Sequence, residues 1–494
     1  MGGGVAILDY DNDGKPDIFF TNGAELPSLR KTLPAFSHGL LHNRGGSLFE
    51  DHTTAAGLTG EGLGYSLGAA AGDYDNDGFP DLFIANAGEN ALFHNNGDGT
   101  FTDVTAQSGL SGKPGNTLSV GAAWVDYDRD GLLDLIVSNY TVWTPETDIR
   151  CTDSLRGELY CSPTKYVTVP DRLYHNLGNG RFEDVTDKSG LGQAKGKGMG
   201  ISIADINNDG YPDIFIVNDT ERNFLFINQR NGTFKEEATL YGVSYNDDGV
   251  TVNGMGSDAN DFNNDGYIDL FYNDLPHQVF GLFAGDGRSF RYASDTAGLG
   301  KISYAFGGWS AGFIDYDNDG WKDIYSANGD VDKYSEASRQ SDTMFRNIDG
   351  KAFSDVSASM GTDFTRKGFH RGAAFADLNN DGALDIVVTG LNEPPRILIN
   401  SGSAGAHWLL LDLQGTKSSR DAIGAAIKLT TGSGRTLYNH VSVSTGFMSS
   451  SDKRVHFGLG SEKAVRELEI RWPNGQVQKV TSPAVDRVLR IVEP

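Results

Sequence analysis

Cysteine is nearly absent: the 494 residues hold two, Cys151 and Cys161, inside "RCTDSLRGELYCS". Two thiols cannot complete a zinc site and no Cys-x-x-Cys redox motif occurs, so a local disulfide is expected, with a pair of free thiols as the alternative. Long apolar runs are also lacking, and none approaches the ~20 residues that a membrane-crossing helix needs. The chain does not open on a basic start followed by an apolar stretch, so as written it carries no export address. Positive charge is scarce: 41 Lys and Arg against 66 Asp and Glu leave a formal net charge of −25, and no basic run interrupts it. That balance excludes a general affinity for nucleic acid and makes cations the expected partners. No His-Glu-x-x-His helix and no dinucleotide-binding fingerprint occurs, so chemistry is not announced by motif.

Glycine, by contrast, is abundant at 64 residues, often in Asp-Gly and Asn-Gly pairs between short β-branched and aromatic runs. This is the composition of many short strands joined by tight turns. One acidic pattern recurs seven times: "DYDNDGKPD" at Asp9, "DYDNDGFPD" at Asp73, "DYDRDGLLD" at Asp126, "DINNDGYPD" at Asp205, "DFNNDGYID" at Asp261, "DYDNDGWKD" at Asp315 and "DLNNDGALD" at Asp377. Successive copies lie 64, 53, 79, 56, 54 and 62 residues apart, room for one four-stranded unit each. A small-residue strand leads into each loop, a second strand such as "DIFFTN" leaves it, and a third such as "ALFHNNGDG" turns through Asn-Gly or Asp-Gly. A fourth strand starts at Phe49, Phe101, Phe182, Phe234, Phe290 and Phe353, six starts against seven loops. The spacing predicts an all-β fold, a seven-bladed β-propeller over residues 1–403 followed by a small β-sandwich over 404–494. The missing fourth strand of the last blade leaves two expectations: "HWLLLDL" (His407 to Leu413) fills the gap, or the natural N-terminus lies upstream of Met1, which the reading favours.

Within each loop, positions 1, 3 and 5 are Asp or Asn, position 6 is Gly and position 9 is Asp. Alternate side chains of a tight turn converge on one centre, and Gly at position 6 allows the bend that aims the position 7 carbonyl inward. Oxygen ligands of this number suit Ca²⁺, up to seven ions, better than Mg²⁺ with its stricter octahedron; Zn²⁺ prefers His or Cys, which no loop contains. The expected ligands are Asp9, Asp11, Asp13 and Asp17; Asp73, Asp75, Asp77 and Asp81; Asp126, Asp128, Asp130 and Asp134; Asp205, Asn207, Asp209 and Asp213; Asp261, Asn263, Asp265 and Asp269; Asp315, Asp317, Asp319 and Asp323; and Asp377, Asn379, Asp381 and Asp385. An EF-hand is excluded, because position 12 is Phe20, Ile84, Val137, Ile216, Tyr272, Ser326 or Val388 in place of Glu. Two unit charges ~4 Å apart repel by about 4 kcal/mol at an effective dielectric near 20, so a loop with several acids needs a cation. Four loops carry four acids and three carry three, which predicts weaker binding in the loops with Asn at position 3.

These loops closely resemble the FG-GAP/VCBS repeats of integrin α-subunit propellers and of secreted bacterial propellers. The tail pieces "RDAIGA" (Arg420 to Ala425) and "HFGLG" (His456 to Gly460) resemble the ASPIC/UnbV domain that follows such propellers in the cartilage acidic protein family. The resemblance implies calcium-binding loops, an extracytoplasmic (secreted or periplasmic) life that agrees with a disulfide, and a monomeric ligand-binding or adhesion module. Its partner is then an unidentified protein, glycan or small molecule. The alternative is a hydrolase, lyase or cyclase using the central funnel or the groove between propeller and tail. His370, Arg371, Asp219 and Arg222, with Asp330, Asp332 and Lys333, are the residues that could line a funnel, each also explained as a turn or packing residue. His456 reads as a structural strand residue. The insertion from Thr141 to Arg172, aromatic and holding both cysteines, is the candidate for ligand specificity or else a lid on its blade.

Overall fold

The computed structural model describes residues 2–110, 116–153, 157–159, 161–331 and 336–494. Strands dominate, and no helix among the described residues exceeds five residues. In the first unit, strands Val5–Leu8, Asp17–Phe20, Gly39–Asn43 and Phe49–Asp51 form an antiparallel meander. The same order returns with first strands Tyr65–Gly72, Thr117–Val125, Gly198–Ala204, Ser257–Asn260, Gly308–Ile314 and His370–Ala376. The second and third units are joined into one sheet through a bridge between Ala87 and Leu118. Each acidic loop links a first strand to a second, and every second strand begins at the position 9 Asp.

First strands of successive units pack side by side, and the last packs on the first, so the units close into a ring. Apolar side chains fill the wedge between neighbours. Phe19 and Leu40 meet Leu82, Ile84 and Phe93, and Val5, Ile7 and Ile18 meet Ala374, Ala376 and Val387 across the closure. The final unit has three strands, His370–Ala376, Asp385–Gly390 and Glu393–Leu398. The strand expected to complete it does not do so: His407–Gln414 pairs antiparallel with Val455–Gly460 and parallel with Val488–Val492. Its buried Leu409, Leu411 and Leu413 belong to the core of the tail, which outweighs any pairing on the ring.

The tail's second sheet runs Thr436–His440, Ala426–Thr431, Val465–Arg471, Val477–Thr481. Alternation across both sheets buries Ile427, Leu429, Leu468 and Ile470 against Phe457 and Ile491, the packing of a small sandwich. The strand Thr436–His440 ends where the chain leaves the sheet and enters the centre of the ring. There Ser444 Oγ donates to the Ile201 carbonyl at 2.6 Å. Gly446 pairs with Ser257 through its backbone, the Phe447 amide donates to Ser310 Oγ, and the Ala69 amide donates to the Met448 carbonyl. The Ser450 amide donates to Val5 and its carbonyl accepts from Ile7, while Ser451 Oγ accepts the Phe375 amide. Phe447 and Met448 are buried among Leu67, Val120, Tyr140, Met199, Met255 and Trp309. The small residues of the first strands allow this approach: a Cβ on Gly4 would lie 2.0 Å from the Met448 carbonyl oxygen.

Candidate functional site

In every acidic loop, positions 4 and 6 have positive φ, between 56° and 64° at position 4 and between 83° and 100° at the glycine. The glycine amide donates to one oxygen of the position 1 Asp at 2.7 to 3.1 Å. The position 7 amide donates to the position 5 Asp at 2.9 to 3.0 Å. The position 9 Asp is fully buried and accepts two backbone N–H bonds, from position 2 and from the end of the third strand, as Asp81 does from Tyr74 and Asn95. Each of its oxygens keeps a second lone pair. The turn thus brings the side chains of positions 1, 3 and 5 together on a fixed backbone frame, with Asp73, Asp75 and Asp77 offering oxygens within 4.8 Å of one another.

Position 4 was silent in the sequence and has a second task. Asn12 Nδ2 donates to the Gly78 carbonyl at 2.8 Å, Asn76 to Gly131 at 2.9 Å, Asn264 to Gly320 at 2.9 Å, Asn318 to Gly382 at 3.0 Å and Asn380 to Gly14 at 3.0 Å. Five of the seven loops therefore hold the glycine carbonyl of the next. Asn208 reaches Gly266 more loosely at 3.4 Å. In the third loop Arg129 stands at this position, and its guanidinium lies 4.7 Å over the Tyr211 ring of the next loop instead. A second set of bonds runs through the Asn at the end of the third-strand motif in six of the seven units, Gly285 standing there in the fifth. Asn95 Nδ2 donates to the Tyr10 carbonyl, Asn176 to Tyr74, Asn228 to Tyr127, Asn347 to Phe262, Asn400 to Tyr316 and Asn43 to Leu378. Asn tolerates the left-handed conformation that position 4 requires, which explains its recurrence there. The signal was legible as an Asn at fixed places in nearly every repeat.

Burial raises the position 1 and position 9 carboxyls, and neighbouring acids add to it. Asp73 and Asp126 are pushed up to about 8, each against the pull of its glycine amide. Asp315 is likewise pushed up to about 8 by burial and by Asp319 and Asp317. A divalent cation at the loop centre reverses these terms. Two buried oxygens, Asp126 Oδ1 and Asp317 Oδ1, have no hydrogen-bond partner, so the donor set fits a hard, oxygen-seeking ion. The donors are not oxygen alone, however. In three units a third-strand histidine reaches the acids: His42 Nδ1 lies 3.2 Å from Asp17, His94 Nδ1 3.3 Å from Asp81 and His175 Nδ1 3.1 Å from Asp134. Reading the loops one at a time missed these side chains, although "LLHN", "LFHN" and "LYHN" repeat in the sequence.

The residues expected to line a funnel do not form a site. Phe447 and Met448 fill the ring centre with an apolar plug. Arg371 is buried with its guanidinium 3.9 Å over Trp309, and donates to the His370 carbonyl at 2.7 Å. His370 Nδ1 pairs with Asp342 at 2.5 Å. Asp219 accepts from Tyr140 Oη at 2.8 Å, and Arg222 pairs with Glu236 at 2.6 Å. Asp330 accepts from Arg371 through its carbonyl; Asp332 and Lys333 lie outside the described residues. His456 Nε2 lies 3.0 Å from the Gly382 carbonyl, inside a strand. Ser66 and Ser310, flanked by Gly-x-Ser-x-Gly spacing, sit within first strands rather than at strand-to-helix turns.

The tail covers the acidic-loop side of the ring. Arg471 pairs with Asp205 at 2.8 Å, and Arg454 donates to the Asp377 carbonyl at 2.8 Å. Lys322 bridges the Asp261 and Tyr438 carbonyls, and the Asp73 amide donates to Asp421. A cavity of about 360 Å³ remains between the two, lined by Arg129, Asp205, Tyr267, Tyr438, Arg471 and Trp472 among others. The insertion leaves its second strand at the other end, away from the acidic loops. It carries a short antiparallel hairpin, Cys151–Asp153 with Gly157–Leu159, and a Cys151–Cys161 disulfide.

The repeat of fold and loop is matched by comparison with known families. The FG-GAP-like repeat matches over residues 9–84, 73–137, 159–216, 205–272 and 261–326, and the ASPIC and UnbV domain over 415–494. The chain belongs to the FG-GAP repeat family. Its FG-GAP relatives include cartilage acidic protein 1 of Mus musculus, 25% identical over 522 residues, covering 99% of this chain and 74% of the relative. The Homo sapiens protein is 25% identical over 517 residues, 99% of this chain and 72% of the relative. Among solved structures, an N-acetylglucosamine-recognising lectin of Agrocybe aegerita aligns with 81% of this chain and 94% of its own at 15% identity and a TM-score of 0.45. An exo-type rhamnogalacturonan lyase aligns with 99% of this chain and 90% of its own at 12% identity and a TM-score of 0.36.

Proposed function

We propose that this protein is a calcium-stiffened interaction module that works outside the cytoplasm. Calcium, bound by the position 1, 3, 5 and 9 side chains and the position 7 carbonyl of up to seven loops, neutralises acids that the fold holds together by backbone hydrogen bonds. The observation that carries the reading is the ring of loops itself. Five of the seven acid clusters are tied to the next by an Asn side chain, and Asp126 and Asp317 each keep a buried oxygen with no protein partner. Relatives named for cartilage and the Cys151–Cys161 disulfide support the extracytoplasmic setting. With the tail over the acidic-loop side, the partner surface falls to the opposite side, where the disulfide-bearing insertion stands.

The test is thermal melting of the intact protein in millimolar calcium and in EGTA. A single site at a hundredfold excess over its Kd adds about 2.7 kcal/mol, so several sites should raise the midpoint by many degrees. An unchanged midpoint overturns the calcium reading.

A further inference from the structure

The acidic loops are of two kinds, and the third strand varies in step with them. Loops that begin at Asp9, Asp73, Asp126 and Asp315 have Asp at position 3; those at Asp205, Asp261 and Asp377 have Asn207, Asn263 and Asn379. One residue before the end of the third-strand motif, the first group has His42, His94, His175 and Arg346, and the second has Ile227, Ala284 and Ile399. The correlation holds in all seven units.

The geometry gives its cause. In the first group a side-chain nitrogen reaches Oδ2 of the position 3 Asp: 3.5 Å from His42 to Asp11, 3.3 Å from His94 to Asp75, 3.6 Å from His175 to Asp128 and 2.7 Å from Arg346 to Asp317. The other oxygen is correspondingly loose. Asp11, Asp75 and Asp128 accept the position 5 amide at 3.3 Å, and Asp317 Oδ1 accepts nothing. In the second group the Asn oxygen accepts that amide at 2.9 to 3.0 Å. The third-strand nitrogen thus draws on one oxygen of the additional acid, the histidines sharing theirs with the position 9 Asp at 3.1 to 3.3 Å and Arg346 reaching Asp319 as well, and leaves the other oxygen more weakly held by the loop's own backbone. An apolar residue fits the same strand position, so strand packing alone does not demand a nitrogen there.

We propose that the position 3 acid and the third-strand nitrogen are a coupled pair that sets the metal affinity of each loop, so that four-acid and three-acid loops are matched. This rests on the calcium reading above, and it replaces the expectation that affinity follows the number of acids. His42, His94, His175 and Arg346 act on the ion through the acid they hold, as positioning residues.

The experiment is a double-mutant cycle on the full chain: Asp317→Asn, Arg346→Ile, and both together, which reproduces the Asn207 and Ile227 pairing of another unit. Melting in EGTA reads the pair without metal. Arg346→Ile should lower the midpoint clearly in the otherwise native protein and have less than about half that effect once Asp317→Asn is present. In calcium titrations followed by melting, Asp317→Asn should weaken and Arg346→Ile strengthen binding at this loop, each by roughly 3- to 10-fold, with the double variant near wild type. Additive effects in both conditions overturn the proposal. The same cycle with Asp75→Asn and His94→Ile decides the matter if the Arg346 variants fail to fold. A wild-type protein that gains nothing from calcium sinks the calcium reading, while the cycle in EGTA still decides the pairing.

Discussion

Phe447→Ala removes the centre of the plug and leaves every acidic loop untouched. The ring of Phe447 is fully buried, tilted at 5.3 Å from Trp309 and enclosed by Leu67, Val120, Met199 and Met255. A buried Phe removes about 150–250 Å² from water, which at ~25 cal/mol per Å² amounts to about 4–6 kcal/mol. Truncation of a core Phe to Ala costs about 3–5 kcal/mol, in the same range. The walls of this cavity are strands tied into a ring, so little collapse onto the void is expected and the upper half of that range applies. Scanning calorimetry in calcium should show a transition many degrees lower, with the tail melting ahead of the ring because its anchor has gone. Leu240→Ala is the control, since Leu240 is 74% exposed. If Phe447→Ala costs under about 1 kcal/mol, or matches the control, the plug does not hold the two parts together and the argument fails.

Two further outcomes are expected. Asn12→Gly removes only the hydrogen bond to Gly78 and should cost about 0.5–1.5 kcal/mol, whereas Asn12→Ala adds a left-handed penalty of roughly 1–2 kcal/mol at φ 57°; equal midpoints for the two would refute the conformational part. Asp171, pushed up to about 7 by burial against the Asn139 amide, holds its proton more tightly folded than unfolded. Its contribution is therefore lost as pH rises from about 4 to about 7, and Asp171→Asn, which keeps the acceptor for Asn139, should gain up to about 4 kcal/mol at pH 8 and nothing at pH 4. Denaturant midpoints at the two pH values check this, and a gain that is the same at both is the refuting result.

The ring was legible because each acidic loop sits between two short apolar strands, and a period near 61 residues leaves little choice of architecture. The loop frame was legible too, since Gly14 and its six equivalents need positive φ and the acids alternate around them. What could not be read were relations between units. Asn12 serves Gly78, and Asn95 serves Tyr10, through contacts that no single repeat reveals. The plug was hidden for a different reason. "VSVSTGFMSSS" alternates like a strand as far as Val443, and glycines of distant units, Gly4, Gly121, Gly256 and Gly372, make room for it elsewhere. Gly446 itself has φ 81°, and a Cβ there would lie 2.0 Å from Ser310 Oγ.

The position of that plug orders events during synthesis. Ser450 is hydrogen-bonded to Val5 and Ile7, so these strands are completed by a residue that is made more than 440 positions later. Until the tail emerges from the ribosome, the ring encloses a hole walled by Leu67, Met199, Met255 and Trp309. A nascent or prematurely terminated chain is thereby marked by an accessible oily bore, the kind of surface that chaperones and proteases recognise. Only a chain that has delivered Phe447 and Met448 seals itself.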